Sequence, residues 1–462
     1  MHKRLLDFLN SNNSLFEMQY GFRPGRSCEH ALLNAQNTLL NSLNKKQISL
    51  LLLIDFSKAF DMVDHQILLH KLYHYGVRGT ALQWFRSYLK NRQQFVTVDN
   101  ADSAHKEMHF GVPQGSILGP LLFVIYINDL PGIFGSATWI MYADDANIIV
   151  TGENMDEINR KISVLASKLV QWVGSNGLAL NLKKTTYMIF SRQRNLQTND
   201  IYINNKKIEH VHEARFLGVI IDEKLNWSKH ISAVRSKMSR CIGIMYKIKH
   251  QIPLKARLQI YHSFVQSHIN FCSLVWGFSA KSHIDSIFTI QKKAMRAIML
   301  GYVNYFYKDG NLPTSTKSSF VDHKILTIQS IIVKNAMTFM HRIIAFPNSL
   351  PPSILLTIPD NIPTIGSDHS SCAVWLSNYN TRSYRSSIFY KGPLLAITQH
   401  FTKTLTIPSL LSYKTHSLST KHQMLSLQSE GPEDEWQTFL LYSIPGLRRS
   451  ERLHIASSVA DQ

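Results

Sequence analysis

An unbroken apolar run, Leu50 to Ile54, stops at Asp55. Consecutive apolar residues without alternation fit a strand covered on both faces, which requires other elements packed against both sides of a sheet. The carboxylate that ends the run then falls at the C-terminal edge of the strand. A second apolar segment, Trp139 to Val150, is split by Tyr142-Ala143-Asp144-Asp145 and reads as a hairpin of two short strands with adjacent carboxylates at its tip. Between them, Asp64 is placed to cap a helix carrying Ile67, Leu68 and Leu72. Thr80 and Gln83 have capping-box spacing ahead of Trp84, Phe85 and Tyr88, and Gln93 to Val98 is rich in β-forming residues. Met155, Ile158, Ile162, Leu165, Leu169 and Trp172 recur at steps of three and four, one amphipathic helix that Gly174 is expected to stop.

From about Trp227 to Leu300 the pattern is helical only. Ile231, Val234, Met238, Ile242 and Met245 mark one helix, Leu254 to Phe271 a second, and Ile284, Ile287, Gln291, Ala294 and Ile298 a third. Ile325 to Ile344 reads as a further helix, whereas Pro347 to Ser371 and Ser412 to Pro432 are rich in Pro, Ser and Thr and read as loops or linkers. No internal repeat is visible. The fold class expected is α+β.

Charge narrows the partners. The 462 residues, enough for roughly three domains, carry 50 Lys and Arg against 31 Asp and Glu, a formal charge of +19. A polyanion is implied, nucleic acid first and an anionic membrane surface second. The longest apolar run, Ser116 to Leu130, is interrupted by Gly119, Pro120 and Asn128 and falls short of the about 20 residues a membrane span needs, and MHKRLLDFLN at the N-terminus lacks a signal's apolar stretch. A soluble, intracellular protein without a membrane partner is expected. Cys28, Cys241, Cys272 and Cys372 form no CxxC pair, which argues against a disulfide framework or zinc knuckle and for a reducing compartment. The 21 histidines include no HExxH pattern, and none is assigned to a metal.

The chemistry gathers at Asp55, Asp144 and Asp145. Like charges brought together at a sheet edge disfavour ionisation, and divalent metal offsets that repulsion. Mg2+ is the natural occupant, with Mn2+ as a substitute. Two ions about 3.5 to 4 Å apart can activate a hydroxyl and stabilise a leaving pyrophosphate oxygen. An Asp-Asp pair by itself is more often a turn.

Five segments occur in order: IDFSKAFDMVDH (Ile54 to His65), GVPQGSILGPLLFVIYINDL (Gly111 to Leu130), MYADDANIIV (Met141 to Val150), LNLKKTTYMIF (Leu180 to Phe190) and FLGVIID (Phe216 to Asp222). Together they resemble the palm of reverse transcriptases, specifically the non-LTR, LINE-type retrotransposon polymerases of the jockey-like branch. QYGFRPGRSCEHAL, Gln19 to Leu32, resembles the stretch just upstream of that palm. The resemblance covers about residues 1 to 300 and rests on the ordered set, since each motif alone is weak.

The resemblance implies roles. Asp55, Asp144 and Asp145 become the catalytic and metal-binding acids, and Phe60 matches the aromatic position that blocks a ribose 2′-hydroxyl. Pro113, Gln114 and Gly115 match a loop that approaches nucleotide and template, while Arg23 and Lys183 match nucleotide-binding positions. Arg26 and the helical triplet Lys292, Lys293 and Arg296 are expected on nucleic acid, the triplet tracking a backbone through counterion release. Solvated basic faces are the competing account for the lysines and arginines, and core packing for Phe60.

The architecture implied is a right-hand polymerase: partial fingers over 1–48, palm over 49–222, helical thumb over 223–302, and a C-terminal region of unassigned role over 303–462, which includes NYNTRSYR (Asn378 to Arg385). The reaction implied is RNA-templated addition of dNTPs to a DNA primer 3′-hydroxyl with release of pyrophosphate, in nucleus and cytoplasm. The chain is expected to begin part-way through the fingers and to depend on another protein for an endonuclease. Two rivals stay open: a nucleic-acid-binding remnant that does not polymerise, and an RNA-dependent RNA polymerase, which also pairs aspartates at a hairpin.

Overall fold

The apolar run is the middle strand of a five-stranded sheet. The computed structural model describes residues 1–193, 196–306 and 316–345, and the chain divides into two units at Leu217 and Gly218. In the first unit the sheet strands are β1 (Ile48–Ile54), β2 (Thr138–Tyr142), β3 (Asp145–Gly152), β4 (Thr186–Phe190) and β5 (Glu209–His210), arranged β5-β4-β1-β3-β2. Neighbours are antiparallel except β5, which runs parallel to β4.

Six helices accompany the sheet: α1 (His2–Ser11), α2 (Cys28–Asn44), α3 (His65–His74), α4 (Gly79–Leu89), α5 (Leu118–Tyr126) and α6 (Met155–Ser175). Strand alternation sends Ile48, Leu50, Leu52 and Ile54 to one face, where they share a core with Ile158, Ile162, Leu165 and Leu169 of α6. Each such side chain stabilises the fold by about 1.5–3 kcal/mol when fully buried. Leu51 points to the opposite side and is also fully buried, and α2 packs against β1, β2 and β3. Cover on both faces explains why the run does not alternate.

The Ser116 to Leu130 run becomes α5, in which every residue except Pro120 is buried; its apolarity serves the core. No helix among the described residues is long and apolar enough to cross a membrane. The hairpin and the long amphipathic helix form where expected. Three local expectations fail. The proposed capping box does not form, because α4 starts at Gly79 with Arg78 as an N-cap that makes no side-chain bond, which places Thr80 inside the helix. Gly174 does not stop α6; the chain turns at Asn176 and Gly177, whose φ of +62° suits glycine. Gln93 to Val98 is not one strand but parts of two exposed two-residue pairings, Gln93–Gln94 with Lys106–Glu107 and Thr97–Val98 with Ala101–Asp102.

The second unit is helical over α7 (Ser228–Ile248), α8 (Leu254–Ile260), α9 (Ser267–Asn270), α10 (Ser273–Trp276), α11 (Lys281–Phe306), α12 (Lys317–Asp322) and α13 (Ile328–Ala345). The helix expected over Leu254 to Phe271 is interrupted by a π-helical stretch, Tyr261–Gln266. Gln291, fully buried, explains how a polar residue is tolerated on the apolar stripe of α11. Its Nε2 donates to the Tyr261 hydroxyl at 2.8 Å and the Leu326 carbonyl at 2.9 Å, and its Oε1 accepts the Ile328 N–H at 2.9 Å. The stretches Pro347 to Ser371, Asn378 to Arg385 and Ser412 to Pro432, with Cys372, lie outside the described residues.

Asp64 caps α3 as its sequence position suggests: its Oδ1 accepts the N–H groups of Gln66 at 2.7 Å and Ile67 at 3.0 Å. Asp64→Ala should cost about 1 kcal/mol, and Asp64→Ser should recover most of it. Thermal unfolding followed by circular dichroism checks the order of the three midpoints.

Candidate active site

Strand register brings the carboxylates to one end of the sheet. β1 pairs Ile54 with Ala146, so Asp55, the next residue, stands beside Asp145, the first residue of β3. The turn between β2 and β3 is Ala143-Asp144, and Ala143 has φ +55°. Two-residue hairpin turns with positive φ at this position favour glycine. The alanine conformation costs on the order of 1–2 kcal/mol, so something must hold it.

Gln19 holds it. This side chain, buried with its residue at 1% exposure, accepts the N–H of Ala143 at 3.0 Å and that of Gly21 at 2.9 Å through the same Oε1. Beside it, Tyr20 N donates to Met141 O at 2.7 Å and Met141 N to Met18 O at 3.0 Å, adding a short parallel bridge to the hairpin. A Cβ at Gly21 would lie 2.3 Å from the Ala143 nitrogen, so only glycine admits this approach. Neither Gln19 nor Gly21 had been singled out from sequence, although both sit in the QYGFRPGR stretch. On the other side, Asp55 O accepts the Asn181 N–H at 2.8 Å and Ser57 N donates to Ala179 O at 2.8 Å, fixing the end of β1.

The electrostatics follow from crowding. Burial raises the Asp144 carboxyl above its ordinary value, and the Asp55 charge adds to the rise. Burial, then the charges of Asp144 and Asp55, push Asp145 up to about 6. Among the described residues none of the three forms an ion pair. The donors are hard oxygens without an ion-pair partner among the described residues, the chemistry a divalent cation takes. The structure does not, however, gather a closed cage: among the described residues no three His, Cys, Asp or Glu side chains are disposed to hold an ion between them. Mg2+ retains waters and substrate phosphate oxygens and uses one or two carboxylates, a demand that Asp55 and Asp145 meet.

A cavity of about 310 Å³ opens beside Asp55 and Asp145, lined also by Asn147, Lys184, Thr186 and Arg215. Asp144 is not in its wall. Of the lysine pair it is Lys184, not Lys183, that lines this space; Lys183 is exposed elsewhere on the loop.

Phe60 lies in a 3-10 turn, Ala59–Asp61, stacked on Phe123 at 4.2 Å and edge-on to Phe22 at 6.3 Å. The Pro113-Gln114-Gly115 loop is tied to that turn: Val112 N donates to Phe60 O at 3.0 Å and Gln114 Nε2 to Asp61 Oδ1 at 2.8 Å. Gly115 has φ +81° and open space around it, so conformation rather than room calls for glycine. The arginines are used structurally. Arg23 donates to Phe16 O at 2.8 Å and Asn10 Oδ1 at 3.4 Å, and burial lowers its pKa to about 10. Arg26 donates to the Glu17 carbonyl and lies over the Tyr20 ring at 5.7 Å, its pKa lowered by burial. Both brace the loop that carries Gln19. Lys292, Lys293 and Arg296 belong to the helical unit, with Lys293 and Arg296 exposed and Lys292 half-buried over the Phe288 ring at 4.4 Å.

Two outcomes follow. Gly21→Ala must move the hairpin tip and should cost about 1–3 kcal/mol, measured by denaturant unfolding. For Asp145, the folded chain binds the carboxyl proton more tightly than the unfolded chain, whose value is near 3.8. Stability therefore falls as pH rises from about 4 to about 6 and is level above that window. Asp145→Asn removes this penalty: the variant should melt above the parent at pH 7, and the gap should close by about pH 4.

Residues 1–221 match the family model described as reverse transcriptase (RNA-dependent DNA polymerase). The chain is 26% identical over 302 residues to the probable RNA-directed DNA polymerase from transposon X-element of Drosophila melanogaster, covering 64% of this chain and 33% of that protein. It is 26% identical over 362 residues to the RNA-directed DNA polymerase from mobile element jockey of the same species, covering 75% and 38%. The chain thus spans about a third of the length of these relatives. A solved structure of apo telomerase from Candida tropicalis aligns with 77% of this chain and 60% of its own at 12% identity, with a TM-score of 0.38. Over residues 1–221 the chain is thus similar to the reverse transcriptase family, and among the relatives it resembles are the polymerases of the jockey and X-element transposons.

Proposed function

We propose that this chain is the RNA-directed DNA polymerase of a non-LTR retrotransposon, adding dNTPs to a primer 3′-hydroxyl opposite an RNA template. The observation that carries the reading is the uncompensated carboxylate set at the hairpin tip, with Asp145 held near 6 beside an open cavity. Asp55 with Asp145 or Asp144 would hold divalent cations, which supply activation of the hydroxyl and charge neutralisation on pyrophosphate.

The chain's own residues do the positioning. Phe60, stacked on Phe123, is rigid enough to exclude a 2′-hydroxyl, and the loop through Gln114 and Gly115 is fastened to the same turn. Lys184 supplies a cation in the cavity wall for a phosphate. In this reading residues 1–48 act as fingers, 49–222 as palm and 223–302 as thumb, with Lys293 and Arg296 offered to a nucleic-acid backbone. A second reading, a binder that does not polymerise, draws on one observation: no three-ligand metal set is closed among the described residues.

Extension of a primed homopolymer RNA by dNTPs with Mg2+ separates the two. The Asp144→Ala, Asp145→Ala double variant should lose about 10² to 10³ in rate; equal signal from parent and variant leaves only the binder. In the same assay Phe60→Ala should raise rNTP incorporation, and a parent that already prefers rNTPs removes the gate assignment.

A further inference from the structure

A second surface of the first unit has a chemistry the acid site does not use. The 34 residues from His65 to Val98 contain five Lys or Arg, three His and no Asp or Glu. Aromatic rings stand open along the same stretch: Tyr73 is 44% exposed, Trp84 40% and Phe95 47%. Buried Phe85 and Leu89 fix α4 to its neighbours, which leaves Trp84 on the outer side, with Tyr88, one turn on, half-buried against the core and stacked beneath it.

These rings are ordered rather than scattered. Trp84 and Tyr88 stack at 5.5 Å with planes 9° apart, and Arg92 lies over Tyr88 at 5.6 Å. Arg92 O accepts the Met108 N–H at 2.7 Å, closing the base of the exposed hairpin. Three residues farther up the stem, Phe95 and His105 face each other across the strands, stacked at 4.4 Å. Arg78 over Tyr73 at 4.5 Å repeats the ring and guanidinium pairing. Of the carboxylates that follow the stretch, Asp99 and Asp102 lie at the far turn, where Asp102 accepts the Thr97 hydroxyl at 2.6 Å, and Glu107 pairs with Gln93 on the facing strand of the stem.

We propose that the Trp84, Tyr88, Arg92 and Phe95–His105 strip is a stacking rail for single-stranded nucleic acid. Parallel rings with an open outer face accept unpaired bases as further rungs, and cations between them meet the phosphates. Duplex does not fit this chemistry, because its bases are already stacked on each other. An acidic protein would be drawn by the charge but has no need of coplanar rings. The rail rests on the copying reading only for the source of its strand, and its binding is measured without catalysis.

The test is fluorescence anisotropy of a labelled 20-nucleotide oligouridylate and of a duplex RNA of equal length, on the full chain. Trp84→Ala and Phe95→Ala should each weaken single-strand binding about tenfold, while Trp84→Phe stays near the parent and duplex binding changes little. Unchanged oligouridylate affinity in both alanine variants overturns the rail. So does Trp84→Phe binding as weakly as Trp84→Ala, an equal loss for duplex, or a change in sedimentation without a change in binding, which would make the strip a contact between copies. The rail is read by oligouridylate affinity and the polymerase reading by primer extension, so a failed polymerase reading and a failed rail give different results.

Discussion

Repulsion among three carboxylates at one end of a sheet is the constraint around which the first unit is organised. Asp55 ends the most buried strand, and Asp144 and Asp145 occupy the tip of the hairpin beside it. Their repulsion alone would separate them. The chain holds them with a buried glutamine, a glycine without room for a methyl, and a left-handed alanine, each fixed by the others. Burial first, and then the repulsion left over, raise the carboxyl of Asp145, a state that a cation relieves.

Much of this was legible in the amino-acid order. The Leu50 to Ile54 run, the doublet between two apolar segments and the Asp64 cap are local signals, and local physics decides them. What escaped depends on distance or on small rotations. Gln19 meets Ala143 across 124 residues, and no periodicity reports such a contact. The spacing of Thr80 and Gln83 matched a capping box, yet the helix starts at Gly79, because packing of Phe85 and Leu89 rather than the cap sets its start. Lys183 and Lys184 are adjacent, so a single residue's rotation of the loop decides which lines the cavity.

Two kinds of cation serve the molecule in different ways. Arg23 and Arg26 spend donors on backbone carbonyls and lose basicity by burial, so they act as braces. Beside α4, Arg78 and Arg92 instead stand exposed, over the rings of Tyr73 and Tyr88. A net charge of +19 therefore overstates the uniformity of the surface.

The long reach of the Gln19 bond also bears on the order of events during folding. Closing a loop of that length brings an entropic cost before any contact repays it. Local helices and the hairpin can form early, but the amide that stabilises the Ala143 conformation arrives only once the N-terminal segment docks on Met141. The acid end of the sheet is thus assembled late, and an intermediate lacking that docking would carry the hairpin with its tip still free to rearrange.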